Sequence, residues 1–118
     1  MIITCDFDHT LRFENGETNQ TTLDLISTFD AQIIIISTRK DIQDILDFIV
    51  INGLTIKEIV LVSDEHEKLK VAKSFGTSCH FDDSDEALSL FDNQGILTVN
   101  CFNSEEWDQW LIKLGIEV

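Results

Sequence analysis

Short apolar runs alternate with amphipathic stretches along the chain, the pattern of a parallel sheet with helices packed on its faces. Runs of strand length occupy Ile2 to Cys5, Gln32 to Ile36, Glu58 to Val62, Ser78 to Phe81 and Ile96 to Val99. Between them the apolar spacing becomes helical. One helix is expected over Thr21 to Phe29 and a second over Asp41 to Ile51, where Ile42, Ile45, Leu46 and Ile49 fall at i, i+3, i+4 and i+7. Asn52-Gly53 closes the second by supplying the left-handed residue that a helix C-terminus favours. A third helix runs from about Glu65 to Phe75 and stops at Gly76, and a fourth starts at Ser84 and turns Ala87, Leu88 and Phe91 inward. A last one spans about Ser104 to Leu114, with Trp107, Trp110, Leu111 and Leu114 on one stripe. Ile33 to Ile36 is apolar at every position, so that strand is expected to be central and covered on both faces. Leu11 to Gln20 is the one long polar stretch without periodicity, which predicts a mobile loop.

With 118 residues, 43% of them hydrophobic, the chain is expected to form one domain over 1–118 that fills a single core. Its 22 acidic and 8 basic side chains leave a formal charge of −14. Such a surface repels phosphate backbones, which argues against nucleic acid as a partner. Cys5, Cys79 and Cys101 are odd in number and lack metal-type spacing. They read as reduced, small hydrophobes, which suits a cytoplasmic location. No apolar window is long enough for a membrane span, so no membrane partner is expected.

In an open parallel sheet, ligands bind beyond the carboxyl ends of the strands. After the first run stand Asp6-Phe7-Asp8-His9-Thr10, and after the second Ser37-Thr38-Arg39. A polar turn leading to Lys68 follows the third, and Asp82-Asp83 end the fourth. Four carboxylates, a hydroxyl and an ammonium thus converge on one edge. Acids that close together raise one another's pKa unless a cation sits among them, and oxygen ligands favour Mg²⁺ completed by a substrate phosphate.

At these positions the chain resembles the haloacid dehalogenase superfamily in its phosphatase form. The family's four signatures occur in order: DxDxT after an apolar strand in IITCDFDHTL, a strand ending in Ser in IIIIS, a lysine opening a helix in KLKVAKSFG, and an acidic pair after a strand in CHFDDSDEAL. The resemblance covers roughly residues 2 to 100. It implies a Rossmann-like three-layer α/β sandwich whose five-stranded parallel sheet runs 5-4-1-2-3. The predicted helix and strand use most of residues 9–36, and a helix and a strand consume residues 38–67, so no cap domain is expected. The resemblance further implies hydrolysis of phosphomonoesters, with Asp6 as nucleophile and Asp8 as general acid and then base. Thr10, Ser37 and Lys68 would bind the phosphoryl group. Mg²⁺ would be held by Asp6, the carbonyl of Asp8 and Asp82, with Asp83 close by or acting through water. A small phosphorylated substrate is expected, and a homo-oligomer stays open.

One position departs from the family: His9 stands where glycine is usual. It keeps open a catalytically weakened member that regulates or binds, and uncapped architecture keeps open a polynucleotide-end phosphatase. A response-regulator receiver has similar length and an acidic pocket, but it needs a lysine after the fifth strand, where Asn100-Cys101-Phe102-Asn103 stand. Blander readings exist for single residues. Acids after strands are common in turns, and Asp82 and Asp83 also suit a helix N-terminus. Lys70 and Lys73 share a helix with Lys68, which is favoured because it lies in the first turn. Arg39 either meets substrate or balances nearby acids. His66 and His80 lack a partner at metal spacing and read as surface and packing residues.

Overall fold

The computed structural model describes residues 1–101, in which strands and helices alternate strictly. The order is β1 (Ile2–Cys5), α1 (Gln20–Ser27), β2 (Gln32–Ser37), α2 (Gln43–Asn52), β3 (Glu58–Leu61), α3 (Glu65–Phe75), β4 (Cys79–Asp82), α4 (Asp85–Asp92) and β5 (Leu97–Asn100). The predicted helix over Ser104 to Leu114 lies outside the described residues. All five strands are parallel and lie in the order β3-β2-β1-β4-β5, the expected order read from the other edge. β1 is central, so its carboxyl end is flanked by those of β2 and β4.

Strand alternation divides the core between the two faces. On one, Ile3, Cys5, Ile35 and Phe81 pack with Leu23 and Ile26 of α1 and Ile45 and Phe48 of α2. On the other, Ile34 and Ile36 pack with Ala72 of α3 and Phe91 of α4. The apolar run Ile33 to Ile36 of β2 therefore faces helices on both sides, as its composition predicts. Among the described residues no helix is long and apolar enough to cross a membrane.

One local expectation is corrected. In α2 the buried positions are Ile45 and Phe48, while Ile42 and Leu46 are exposed and line a groove with Leu54, Ile56 and Ile59. Apolar residues nearly encircle this helix, and Phe48, whose ring meets Phe7 edge-on at 5.3 Å, turns it inward. Residues 11–19 form the expected loop, which closes on itself. Phe13 N–H donates to Glu17 and Asn19 N–H to Leu11, while Leu11 is buried and the Asn19 side chain caps α1.

Candidate functional site

Asp6 continues the ladder one residue past β1, its amide donating to the Phe81 carbonyl at 2.9 Å, so its carboxylate is set by the sheet. Lys68 reaches it from the opposite direction. α3 is capped by Asp64, which accepts from the Glu67 amide, and places Lys68 at the end of its first turn. Lys68 is 1% exposed, whereas Lys70 and Lys73 are exposed. Its ammonium lies 2.8 Å from Glu65, 3.0 Å from Asp82 Oδ2 and 3.6 Å from Asp6 Oδ1.

Asp82, the last residue of β4, is fully buried and accepts four hydrogen bonds. Oδ2 takes His80 Nε2 at 2.7 Å and Lys68 Nζ at 3.0 Å; Oδ1 takes the amides of Asp83 at 2.9 Å and Ser84 at 3.1 Å. Asp83 points back toward Asp6, and its Oδ1 accepts from the Thr10 hydroxyl at 3.4 Å. Asp6, Asp82 and Asp83 each offer a carboxylate oxygen within 4.8 Å of the others, so together they can hold a cation that prefers oxygen.

The charges explain why a cation suits this place. Burial, then the charge of Asp82, pushes Asp6 up to about 8 against the pull of Lys68. Burial and the charge of Asp82 likewise raise Asp83. Burial alone would raise Asp82 too, but His80 and Lys68 outweigh it and hold that carboxyl below the ordinary range. Lys68 rises despite burial because Asp6 and Asp82 face it. Burial keeps all three thiols protonated, pushing Cys79 and Cys101 up to about 12 and Cys5 well above its ordinary value, so none is a nucleophile.

Asp8 and Ser37 form a second group, joined by Arg39. Its guanidinium donates to Asp8 at 2.7 Å and to Asp44 of α2 at 2.5 Å, while its amide donates to the buried Ser37 hydroxyl at 3.1 Å. Arg12 also pairs with Asp44, and both guanidiniums lie over the Phe7 ring. Sequence reasoning missed Glu65, His80 and Asp44 as partners. Two of them carried a signal: Glu65 precedes Lys68 by one helical turn, and His80 shares a strand face with Asp82.

His9 adopts φ 64°, the only non-glycine residue in the left-handed region among those described. The turn that carries Asp8 thus needs a conformation glycine takes without strain. His9→Gly removes a penalty of about 1–2 kcal/mol and adds about 0.5–1 kcal/mol of unfolded-state freedom. The variant is expected to melt at or slightly above the wild-type temperature. A clear drop in the melting temperature would mean that the imidazole makes contacts worth more than the strain.

Comparison with protein-family models, curated proteins and solved structures found no match.

Proposed function

We propose that this chain is a Mg²⁺-dependent phosphomonoester hydrolase of the haloacid dehalogenase type, built on a Rossmann-like three-layer sandwich. The observation that carries the reading is the arrangement about Asp6: a buried carboxylate with a lysine ammonium 3.6 Å away and two further carboxylates whose oxygens lie within 4.8 Å. One lysine already shared with Glu65 and Asp82 does not neutralise this group, and a divalent cation would.

The saturated hydrogen bonding of Asp82 refines the ligand set. A carboxylate has about four lone-pair directions, and Asp82 uses them on His80, Lys68 and two amides. Asp6 and Asp83 are therefore the direct ligands in this reading, with the Asp8 carbonyl, while Asp82 braces the site from behind. Thr10 serves by orienting Asp83. When bound, Mg²⁺ would neutralise the ligating carboxylates and the phosphoryl oxygens.

The chain's own residues then divide the work. Asp6 attacks phosphorus in line, so that a carboxylate–phosphorus bond forms as the ester P–O bond breaks. Asp8 gives a proton to the departing alkoxide with the oxygen that Arg39 does not hold, and afterwards takes one from the water that releases phosphate. Lys68 and Ser37 stabilise charge on the transferring group. The −14 charge favours a small ester over an oligonucleotide.

A screen of phosphate esters with and without Mg²⁺ tests the activity, and thermal melts test the site. Mg²⁺ at about a hundred times its Kd stabilises by about 2.7 kcal/mol. The melting temperature is expected to rise in wild type and not in Asp83→Asn. An unchanged wild-type midpoint, or no hydrolysis of any ester, would overturn the proposal.

A further inference from the structure

We propose that His80, set by Thr4, is a positioning residue that fixes the Asp82 carboxylate, and through it Lys68 and the start of α4, around Asp6. The inference rests on the phosphatase reading for its effect on rate, but its geometry stands alone. β1 and β4 are paired so that Thr4 lies directly opposite His80, and a strand period of two puts His80 and Asp82 on one face. All three side chains are fully buried. The imidazole bridges them, with Nδ1 2.8 Å from Thr4 Oγ1 and Nε2 2.7 Å from Asp82 Oδ2, and its ring stacks on Phe91 at 3.9 Å and 11°.

The carboxylate partner sets which nitrogen has to donate. An ionised carboxylate only accepts, so Nε2 carries the hydrogen; the Thr4 hydroxyl, which also has Thr77 Oγ1 at 3.1 Å and the Cys79 carbonyl at 3.5 Å in reach, gives its hydrogen to its nearest partner, Nδ1 at 2.8 Å, in the proposed tautomer. Thr4 thus selects the tautomer that aims a donor at Asp82. Four donors then define the carboxylate plane: the imidazole and the ammonium on Oδ2, and the Asp83 and Ser84 amides on Oδ1. Without the imidazole, Oδ2 would keep Lys68 alone, and the pair could swing together away from Asp6. A phenylalanine would fill the space and stack on Phe91 without desolvating two ring nitrogens; it could not hold Oδ2. Packing alone does not account for a histidine here.

Three variants separate positioning from bulk. His80→Phe keeps ring and stack and loses both nitrogens; His80→Gln offers an amide donor toward Asp82; Thr4→Val keeps shape and removes the hydroxyl. With an aryl phosphate and saturating Mg²⁺, His80→Phe is expected to lower kcat roughly 10–100-fold with little change in KM, and His80→Gln to recover most of the loss. Nitrogen NMR of the imidazole should show the proton on Nε2 in wild type and a shift of the tautomer balance toward Nδ1 in Thr4→Val. Wild-type kcat in His80→Phe, equal losses in His80→Phe and His80→Gln, or a wild-type ring protonated on Nδ1 would each overturn the proposal. If wild type cleaves no ester, the phosphatase reading fails. The tautomer in wild type and Thr4→Val, read without any substrate and without a folded His80 variant, still decides the positioning.

Discussion

Asp6→Asn is expected to lower Mg²⁺-dependent hydrolysis of an aryl phosphate by more than about a thousandfold, because the amide cannot form the bond to phosphorus. The fold should survive, since Asn matches Asp in volume and the Asp6 amide keeps its ladder bond to Phe81. Stability gives the same assignment a second, independent reading. In chelator, Asp6 takes up its proton at about 8 in the native protein, against an ordinary carboxylate value of 3.8. Between these values the native state holds a proton that the unfolded chain has released, so raising the pH through this window draws the equilibrium toward unfolding. Wild type should therefore lose melting temperature from about pH 5 to pH 8, and Asp6→Asn should lose less. Binding a cation requires Asp6 to release that proton, so Mg²⁺ should bind more tightly as the pH approaches 8. A variant with wild-type turnover, or parallel pH–stability curves in chelator, would contradict the role given to Asp6.

How far the site was legible depends on the range over which each feature is determined. The carboxyl ends of β1, β2 and β4 could be located because parallel strands flanked by helices read as short apolar runs with polar residues just beyond them. That rule found Asp6, Asp82 and Asp83, and the structure brings these three together. Lys68 could be chosen over Lys70 and Lys73 from its place in the first turn of α3, and it is the buried one. Pairings between elements were not legible. That Arg39 holds Asp8 depends on how the turn after β2 lies beside the turn after β1, which no local pattern encodes. The rotation of α2 escaped for a related reason: on a helix apolar nearly all round, periodicity does not say which stripe meets the core, and the Phe7 ring decides it. His80 was read as a packing residue because its spacing suits no metal. Its partners, Thr4 across the ladder and Asp82 along the strand, emerge only once the register between β1 and β4 is known.

Lys68→Met is expected to have the largest effect on stability. The ammonium is the one cation in contact with Asp6, Glu65 and Asp82 among the described residues, and it is 1% exposed. A methionine keeps much of the apolar stem, so the loss is electrostatic: three acids remain, two of them buried, with no ammonium among them. Removing one partner of a buried ion pair costs about 3–5 kcal/mol, a large part of the about 5–15 kcal/mol that holds a typical domain together. The same substitution at the exposed Lys70 should change stability by no more than about 0.5 kcal/mol. The pH dependence distinguishes this cause from lost packing. Without Lys68 the carboxyls of Asp6 and Asp82 hold their protons more firmly, so the variant should lie nearest to wild type near pH 5 and fall away as the pH rises. A cation that enters among Asp6 and Asp83 replaces part of the missing charge, so Mg²⁺ should raise the melting temperature of Lys68→Met at least as much as that of wild type, while leaving its turnover low. Denaturant melts of wild type, Lys68→Met and Lys70→Met at two pH values, with and without Mg²⁺, measure all of this. A deficit independent of pH would assign Lys68 to packing, and a Lys68→Met protein as stable and active as Lys70→Met would remove it from the site.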